Sequence, residues 1–363
     1  MKILVITQTV DIHSTTLGFF TRWIEEFSKR FETVEVVCLL EGKCVLPTNV
    51  RVHSLGKEEL EGIGHLPAQA GMSEVRKKIQ YIIKFYSYIW KYRNEYDAVF
   101  VHMNQEYIVL GGFLWKLLSK KIFFWRNHPY GNTWTRIAVW FSDMVFCTAD
   151  KSFTASYKKT KLMPAGVDTG IFTIDPNVTR EKNSLLCFGR IAPVKRIERA
   201  IDLTATLLAK GISVTLSVVG DALPRDAVYV EELKKRVMEA KIEPAVHFVR
   251  GVDFIRAPEA YQSHEVLLNF TDSGSFDKTV IEALACGAKV LVSNTSMKDI
   301  LPQGSFTPGD IEDVQEKIKN LLSLNGVESA QYENMAKELV EKQSLKVLMD
   351  RLASYISNSK ISL

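Results

Sequence analysis

The sequence predicts an α/β protein of two domains, each built on a parallel β-sheet that helices cover. Three observations support this prediction. The chain has 363 residues, which is more than a single compact core commonly holds. Short apolar, β-branched runs alternate with segments of helical period, as in parallel sheets with helical crossovers. The alternation starts again after residues 172–180, a polar stretch that contains Pro176 and Asn177.

Ten apolar runs predict the strands. In the first half they are Lys2–Thr7, Val34–Leu40, Ala98–His102, Lys121–Trp125 and Met144–Cys147. In the second half they are Ser184–Phe188, Ser213–Val219, Val246–Val249, Val266–Phe270 and Lys289–Val292. One helix of the first half has a clear apolar stripe, formed by Leu17, Phe20, Ile24, Phe27 and Phe31. Other helical patterns cover residues 196–208, 229–240, 278–286 and 332–356.

These patterns predict a first domain over residues 1–167, a linker over 168–180 and a second domain over 181–340. The periodicity of residues 341–363 predicts helix, but it does not indicate the domain against which that helix packs.

The composition excludes several classes of protein. No uninterrupted apolar run approaches the roughly 18 residues that a membrane-spanning helix needs. The N-terminal segment lacks the shape of a signal peptide, so we expect a cytoplasmic protein. The five cysteines form no Cys-x-x-Cys pair, which favours a reducing compartment over disulfides or zinc. No His, Cys and Asp cluster has metal-ligand spacing, so we expect no metal site.

The charge is distributed unevenly along the chain. Residues 1–180 carry 23 Lys and Arg against 17 Asp and Glu, and they contain all six tryptophans. Residues 76–91 mix cations with aromatic and aliphatic side chains. Two interpretations remain open: this segment contacts an anionic membrane surface, or it is an ordinary helix packed on the first sheet. A nucleic-acid partner is not expected, because no basic and aromatic motif of known type is present.

Two cations follow the first strand of the second half. The segment Phe188–Lys195 leaves a predicted strand and precedes a helix, which is where open parallel sheets bind ligands. Gly189 permits close approach of a ligand to the backbone, and Arg190 and Lys195 have the charge and reach to hold a diphosphate. The alternative is a pair of exposed cations on a loop.

A second loop follows the strand Val266–Phe270. It is rich in turn and capping residues and leads into a helix over 278–286, so it presents backbone N–H groups to an anion or to sugar hydroxyls. Glu282 lies on an otherwise apolar turn of that helix, where a carboxylate needs hydrogen-bond donors. A ribose diol would supply two donors, and a nearby Lys or Arg is the alternative. The candidate loop residues are Ser273, Gly274, Ser275, Phe276, Asp277 and Lys278.

Three further candidates lie at strand ends in the first half. His102 ends one predicted strand, and His128 follows another. Each has the chemistry to exchange hydrogen bonds with a sugar, although histidines at such positions also serve structural roles. Gly18 lies near the start of the first helix, but one glycine does not make a dinucleotide fingerprint.

Several of these motifs together resemble glycosyltransferase family 4. They are Phe188-Gly189-Arg190 with Lys195, Val218-Val219-Gly220-Asp221, Val280–Gly287, and Pro164–Asp168 with Phe172. The resemblance implies the GT-B fold, with two Rossmann-like domains whose parallel sheets face a central cleft. It also implies sugar transfer from a nucleoside-diphosphate sugar with retention of configuration, and a terminal helix that crosses back to the first domain.

The resemblance also implies roles for individual residues. Arg190 and Lys195 would bind the donor diphosphate, Glu282 the ribose, and Arg250 to Val252 would border the base. His128 would lie near the transferred sugar as a catalytic residue, with His102 on the acceptor side. Gly18 would lie near the phosphates and the acceptor.

The expected activity is therefore that of a hexosyltransferase that needs no metal or other cofactor. Its donor would be UDP- or GDP-linked, and its acceptor a glycan or a lipid-linked glycan in the synthesis of a surface polysaccharide or glycoconjugate. The chain departs from the family at Gly274, where similar enzymes carry a glutamate that contacts the donor sugar. This departure keeps an alternative open, a non-catalytic GT-B subunit that binds nucleotide or glycan beside an active partner.

Overall fold

The computed structural model describes residues 1–61, 73–272 and 276–358. The chain divides into two compact units. The first comprises Met1–Pro164 together with the C-terminal segment that starts at Leu345, and the second comprises Ala165–Ser344.

The first unit alternates strands and helices. Its strands are β1 (Lys2–Val10), β2 (Thr33–Glu41), β3 (Val50–Ser54), β4 (Ala98–His102), β5 (Lys121–Trp125), β6 (Met144–Cys147) and β7 (Thr160–Leu162). The α-helices of its N-terminal segment are α1 (Gly18–Ser28), α2 (Lys57–Glu61), α3 (Glu74–Lys91), α4 (Gln105–Leu117) and α5 (Thr133–Phe141).

The second unit repeats this alternation on a smaller sheet. Its strands are β8 (Glu181–Phe188), β9 (Thr215–Val219), β10 (Val246–Val249), β11 (His264–Asn269) and β12 (Lys289–Val292). Its helices are α6 (Ile197–Ala209), α7 (Ala227–Glu239), α8 (Ala257–Ser263), α9 (Lys278–Ala285), α10 (Ile311–Ser323) and α11 (Gly326–Lys342). The last helix of the chain, α12 (Leu345–Asn358), belongs to the first unit.

Both sheets are parallel throughout. The first has the order β3-β2-β1-β4-β5-β6-β7, and the second has the order β10-β9-β8-β11-β12. In each sheet the first three strands are added in order toward one edge. The next strand of the chain then lies on the other side of the first strand. The reversal lies between β1 and β4 in the first sheet and between β8 and β11 in the second. Loops that leave the carboxyl ends of these neighbouring strands diverge, which opens a crevice suited to a ligand.

The alternation of side chains along β1 shows how the first sheet is covered on both faces. Ile3 and Val5 pack into one apolar cluster with α1 and α12. Leu4 and Ile6 point to the opposite face and pack into a second cluster with α3, α4 and α5. Because successive strand residues face opposite sides, two helical layers are needed to bury them all.

The predicted α/β class is confirmed. All ten predicted strands are present, with ends that differ by up to three residues, and the predicted helices at 196–208, 229–240 and 278–286 correspond to α6, α7 and α9. Two strands were not predicted, β3 and β7. Both are edge strands with polar residues such as Arg51 and Lys161, so neither has the apolar run of a strand buried on both faces. Within the described residues, no helix is both long and apolar enough to cross a membrane.

Candidate functional site

Close backbone packing shapes the carboxyl edge of the second sheet. Gly189 follows β8 with φ of +111°, a conformation that is costly for residues with a Cβ. A Cβ added at Gly220, after β9, would lie 2.0 Å from the carbonyl oxygen of Gly189. The two loops are tied by a hydrogen bond from the Ile191 N–H to the Asp221 carbonyl, with N and O 3.0 Å apart. The strand ends thus present a tightly packed backbone surface.

Arg190 and Lys195 line the same small pocket at this edge. Asn269 and Thr271, which end and follow the neighbouring strand β11, line the same pocket. The pocket therefore lies where the strand order reverses, between β8 and β11. Arg190 is exposed, and among the residues that the structure describes none pairs with its guanidinium. It supplies a positive charge that no carboxylate of the described chain neutralises.

Lys195, in contrast, is held by a carboxylate. Its Nζ lies 2.5 Å from Oδ2 of Asp277, which was expected to contact the donor. The same carboxylate accepts hydrogen bonds from Asn269 Nδ2 at 2.8 Å and from Thr271 Oγ1 at 3.1 Å. It also caps α9 by accepting from the Thr279 N–H and hydroxyl.

This network decides the charge state of Asp277. Burial alone would raise the pKa of its carboxyl, but the charge and hydrogen bond of Lys195, with the hydrogen bonds of Asn269 and Thr279, hold that pKa well below its usual range. Asp277 is thus a largely buried anion that holds Lys195 and caps the start of α9. Contact of Asp277 with the donor stays a prediction.

A second ion pair joins the same two loops. Arg196 Nε lies 3.1 Å from Asp272 Oδ1, and the Asp272 N–H donates to the Val194 carbonyl at 3.2 Å. Arg196 adopts φ of +51°, a left-handed conformation that is uncommon for a residue with a side chain. The loops after β8 and β11 are therefore fastened at both Asp272 and Asp277. Ser273, Gly274 and Ser275 lie between these anchors but outside the described residues.

Glu282 is half-buried one turn after Lys278 on α9. Its Oε2 accepts a hydrogen bond of 2.9 Å from the hydroxyl of Tyr261 on α8. Burial raises the pKa of the Glu282 carboxyl, while Tyr261 and the charges of Lys278 and Lys195 oppose that rise. Burial likewise lowers the pKa of Lys278. The charge of Lys195, a diphosphate candidate, thus acts on the carboxyl group of the ribose candidate.

The remaining candidates of this unit lie nearby in the sequence but differ in exposure. Arg250 is exposed after β10. Val252 and Phe276 are half-buried and pack against the apolar core. Contact of Arg250 and Val252 with a base stays a prediction.

The two candidate histidines of the first unit, His102 and His128, have different environments. His102 is 3% exposed, its ring stacks on Phe20 with centroids 4.0 Å apart, and its Nδ1 lies 3.4 Å from the Thr7 hydroxyl. Phe19 and Trp23 also contact the ring. The structure thus places His102 in the core, and this burial argues against the predicted acceptor contact.

His128 and Gly18 also have defined partners. His128 is exposed, and its Nδ1 lies 3.0 Å from both the backbone N and O of Tyr130. Among the described residues nothing engages its Nε2, which is therefore available to a ligand. Gly18 is buried at the start of α1, and its N–H donates to the Ser14 carbonyl at 3.0 Å. Its N–H is therefore already engaged within the chain.

Comparison with known proteins gives a match within the second unit. Residues 173–340, a little under half of the chain, match the family model of glycosyl transferases group 1. No curated protein matches this chain in sequence.

Solved structures that resemble this chain establish its fold over nearly its whole length. Anabaena HepE in complex with UDP and glucose is 18% identical with a TM-score of 0.74, covering 99% of this chain and 100% of that one. Sucrose-phosphate synthase from Thermosynechococcus elongatus is 15% identical with a TM-score of 0.73, covering 98% of each. WaaG, a glycosyltransferase involved in lipopolysaccharide biosynthesis, is 16% identical with a TM-score of 0.62, covering 98% and 100%. The predicted GT-B fold is confirmed, while family 4 and retention stay predictions.

Sequence reasoning missed three polar residues of this site. Asn269 and Thr271 hold Asp277, and Tyr261 holds Glu282. The first two had a signal, since they are polar residues at the carboxyl end of a buried strand. Tyr261 had none, because it lies 21 residues from Glu282 on another helix. The described residues also contain no group of three or more His, Cys, Asp or Glu side chains able to hold a metal ion.

Proposed function

We propose that this protein transfers a sugar from a nucleoside-diphosphate sugar to a glycan or lipid-linked acceptor, with retention of configuration. The observation that carries the proposal is the pocket that Arg190 and Lys195 line together, with the Glu282 carboxyl group within reach of the charge of Lys195. A nucleoside diphosphate carries two anionic phosphates next to a ribose diol. Two cations and a carboxylate acceptor in one neighbourhood match that order of charges and donors.

The chemistry follows from the unequal states of the two cations. When the bond from the anomeric carbon to the diphosphate breaks, negative charge builds up on the leaving phosphate. Lys195 already shares its charge with Asp277, so Arg190 is the stronger candidate to stabilise the departing group. Losing one such electrostatic donor typically costs about 10²–10³-fold in rate. Fixed cations supply this stabilisation, so the proposal requires no metal.

The base of the donor is proposed from the solved relatives. HepE was solved with UDP and glucose and also with UDP-glucose. This supports a UDP-linked hexose as the first donor to test, with a GDP-linked one second. WaaG acts in lipopolysaccharide biosynthesis, which supports an acceptor from surface polysaccharide or glycoconjugate synthesis. His128, exposed with Nε2 available, is proposed to contact the transferred sugar.

A lipid-linked acceptor would fit the outer face of the helical layer formed by α3, α4 and α5. Trp90, Phe113 and Trp140, one on each helix, are 52%, 72% and 73% exposed. The Tyr86 hydroxyl donates to the Leu110 carbonyl at 2.8 Å, so α3 and α4 lie side by side. On α3, five cations accompany one acidic residue. Exposed aromatic rings among cations suit an anionic bilayer surface, so we propose peripheral attachment at the cytoplasmic face of a membrane.

Ligand-induced stabilisation of the purified chain tests the donor proposal. Thermal unfolding is followed with UDP, GDP, ADP and CMP, with and without EDTA. A nucleotide that binds only the native state raises stability by about 2.7 kcal/mol at a hundredfold excess over its Kd. We expect UDP to stabilise most, EDTA to change nothing, and Arg190→Ala to remove most of the UDP effect. Equal, negligible shifts with all four nucleotides would contradict the proposal.

Slow hydrolysis of UDP-sugars separates the enzyme from the non-catalytic subunit. An active transferase releases UDP when water replaces the acceptor, and a subunit that only binds nucleotide does not. We expect release of UDP that falls at least tenfold in Arg190→Ala. Tight UDP binding with no release from any UDP-sugar or GDP-sugar favours the subunit.

A further inference from the structure

Tyr261 is a buried phenol with one polar contact to Glu282. The residue lies on α8 and is 0% exposed. Its hydroxyl donates to Glu282 Oε2 over 2.9 Å. The two residues come from different helices, so this hydrogen bond fixes the carboxylate of α9 against α8.

The ring of Tyr261 is itself held by packing. Its centroid lies 4.7 Å from that of Phe188, the residue directly before Gly189, and 6.0 Å from that of Phe172. A ring enclosed in this way has little rotational freedom, so its hydroxyl has a fixed direction. The same packing connects the loop of the diphosphate candidates to the carboxylate.

The hydroxyl remains a donor at all ordinary pH values. Burial and the nearby Glu282 carboxylate raise the pKa of Tyr261 well above its usual value. A carboxylate has about four acceptor sites on its two oxygens. Among the described residues, Tyr261 is the hydrogen-bond donor to this carboxylate, so its other acceptor sites remain for two ribose hydroxyls.

We propose that Tyr261 is a positioning residue for nucleotide binding, which orients Glu282 so that its free acceptor sites meet the 2′- and 3′-hydroxyls of the ribose. The proposal rests on the proposed function, because it takes a nucleoside diphosphate as the ligand. Tyr261 touches no substrate in this role and acts through Glu282 alone.

The role includes keeping Glu282 ionised. A hydrogen bond to a carboxylate favours its charged form, so loss of the Tyr261 hydroxyl raises the pKa of Glu282 further. The protonated acid is a poorer acceptor for two hydroxyl donors, so affinity for the ribose is lost as pH falls through that pKa. The charged and titratable groups that act on Glu282 are Tyr261, Lys278, Asp277, Lys195 and Cys286.

The test compares UDP with 2′,3′-dideoxy-UDP by calorimetry in the wild type and in Tyr261→Phe. The substitution removes the hydroxyl and retains the ring packing. We expect the wild type to prefer UDP over the dideoxy compound, and Tyr261→Phe to lose UDP affinity about tenfold, the scale of a hydrogen bond to a charged group. Affinity for dideoxy-UDP should stay unchanged, because that ligand lacks the hydroxyls that Glu282 would bind.

A matched variant and a pH series exclude a merely structural effect. Tyr332→Phe also removes a buried hydroxyl of the same unit, one that bonds the Val290 N–H and Ser305, and it should leave both affinities unchanged. The loss of UDP affinity at acidic pH should begin at a higher pH in Tyr261→Phe than in the wild type. In Tyr332→Phe it should begin at the wild-type pH.

Three outcomes separate the possible failures. If Tyr261→Phe retains both the wild-type preference for UDP and the wild-type pH dependence of UDP affinity, the positioning role is overturned while the proposed function stands. If the wild type binds UDP and dideoxy-UDP equally, the ribose role of Glu282 falls and the inference with it. If UDP, GDP and ADP all fail to bind the wild type, the proposed function itself is overturned.

Discussion

The two sheets reverse their strand order at equivalent places, yet the two reversal points are built differently. Between β8 and β11 the loops carry ion pairs, a buried carboxylate network and an exposed arginine. Between β1 and β4 the corresponding strand end carries His102, which lies beneath Phe19, Phe20 and Trp23 of the first helix. One reversal point is polar and holds a small pocket, and the other is filled with aromatic rings.

The difference shows that the strand order creates a crevice but does not decide whether a ligand can bind there. A strand end at a reversal point is available to a ligand only if the following helix leaves it open. In the second unit Pro193–Lys195 forms a short turn before α6, and the cations remain at the edge. In the first unit the aromatic residues of α1 cover the strand end. A histidine at the end of such a strand is therefore a weak indicator of function unless it is known whether the following helix buries it.

The largest contrast is expected between the two cations of the second unit. Lys195→Ala leaves the Asp277 carboxylate buried without its cation, which should lower the free energy of unfolding by about 3 kcal/mol. Arg190→Ala removes an exposed side chain and should change stability by less than about 0.5 kcal/mol, while transfer falls about 10²-fold. Urea unfolding and initial transfer rates measure the two effects separately.

The double variant Lys195→Ala, Asp277→Asn serves as the control for this contrast. Removing the unpaired charge should restore much of the lost stability, because neighbouring residues of one network do not act additively. Equal stability of Lys195→Ala and Arg190→Ala would show that the ion pair does not hold the two loops.

His102 and His128 of the first unit should also differ, one affecting stability and the other turnover. His102→Ala creates a cavity under α1 and should cost about 2 kcal/mol of stability, with little change in turnover per folded molecule. His128→Ala should change stability by less than about 0.5 kcal/mol and lower turnover at least about tenfold. His247→Ala, an exposed histidine of the second unit, is the matched control. Loss of turnover in a fully folded His102→Ala would reverse the assignment.

The smallest effect is expected at the outer face of α3, α4 and α5. Co-flotation with vesicles that contain phosphatidylglycerol should recover the protein at low salt and less of it at 1 M salt, where the screening length falls to about 3 Å. Replacing Trp90, Phe113 and Trp140 by serine should lower recovery severalfold. The control replaces the exposed Val228, Val327 and Met335 of the second unit by serine. Equal recovery of both triple variants would exclude this face as the membrane contact.

Sequence patterns predicted the strands and the site loops but not the pairing of side chains within the site. The sequence placed Gly189, Arg190 and Lys195 just after a strand, and in the structure these three residues line one pocket at the sheet edge. Asp277 has the local signature of a helix cap, and the structure shows that cap. That it also holds Lys195, 82 residues away, depends on β8 and β11 being neighbours.

The sequence by itself determined the two α/β units, because hydrophobic periodicity depends on neighbours within a few residues. It also determined where loops leave the strands and which of them carry cations or carboxylates. Only the tertiary structure decided that Lys195 is paired while Arg190 has no ion-pair partner within the described part of the chain, that Tyr261 holds Glu282, and that His102 is buried. Ion pairing and burial arise from segments far apart in the chain, and their energies depend on which segments the sheet order brings together.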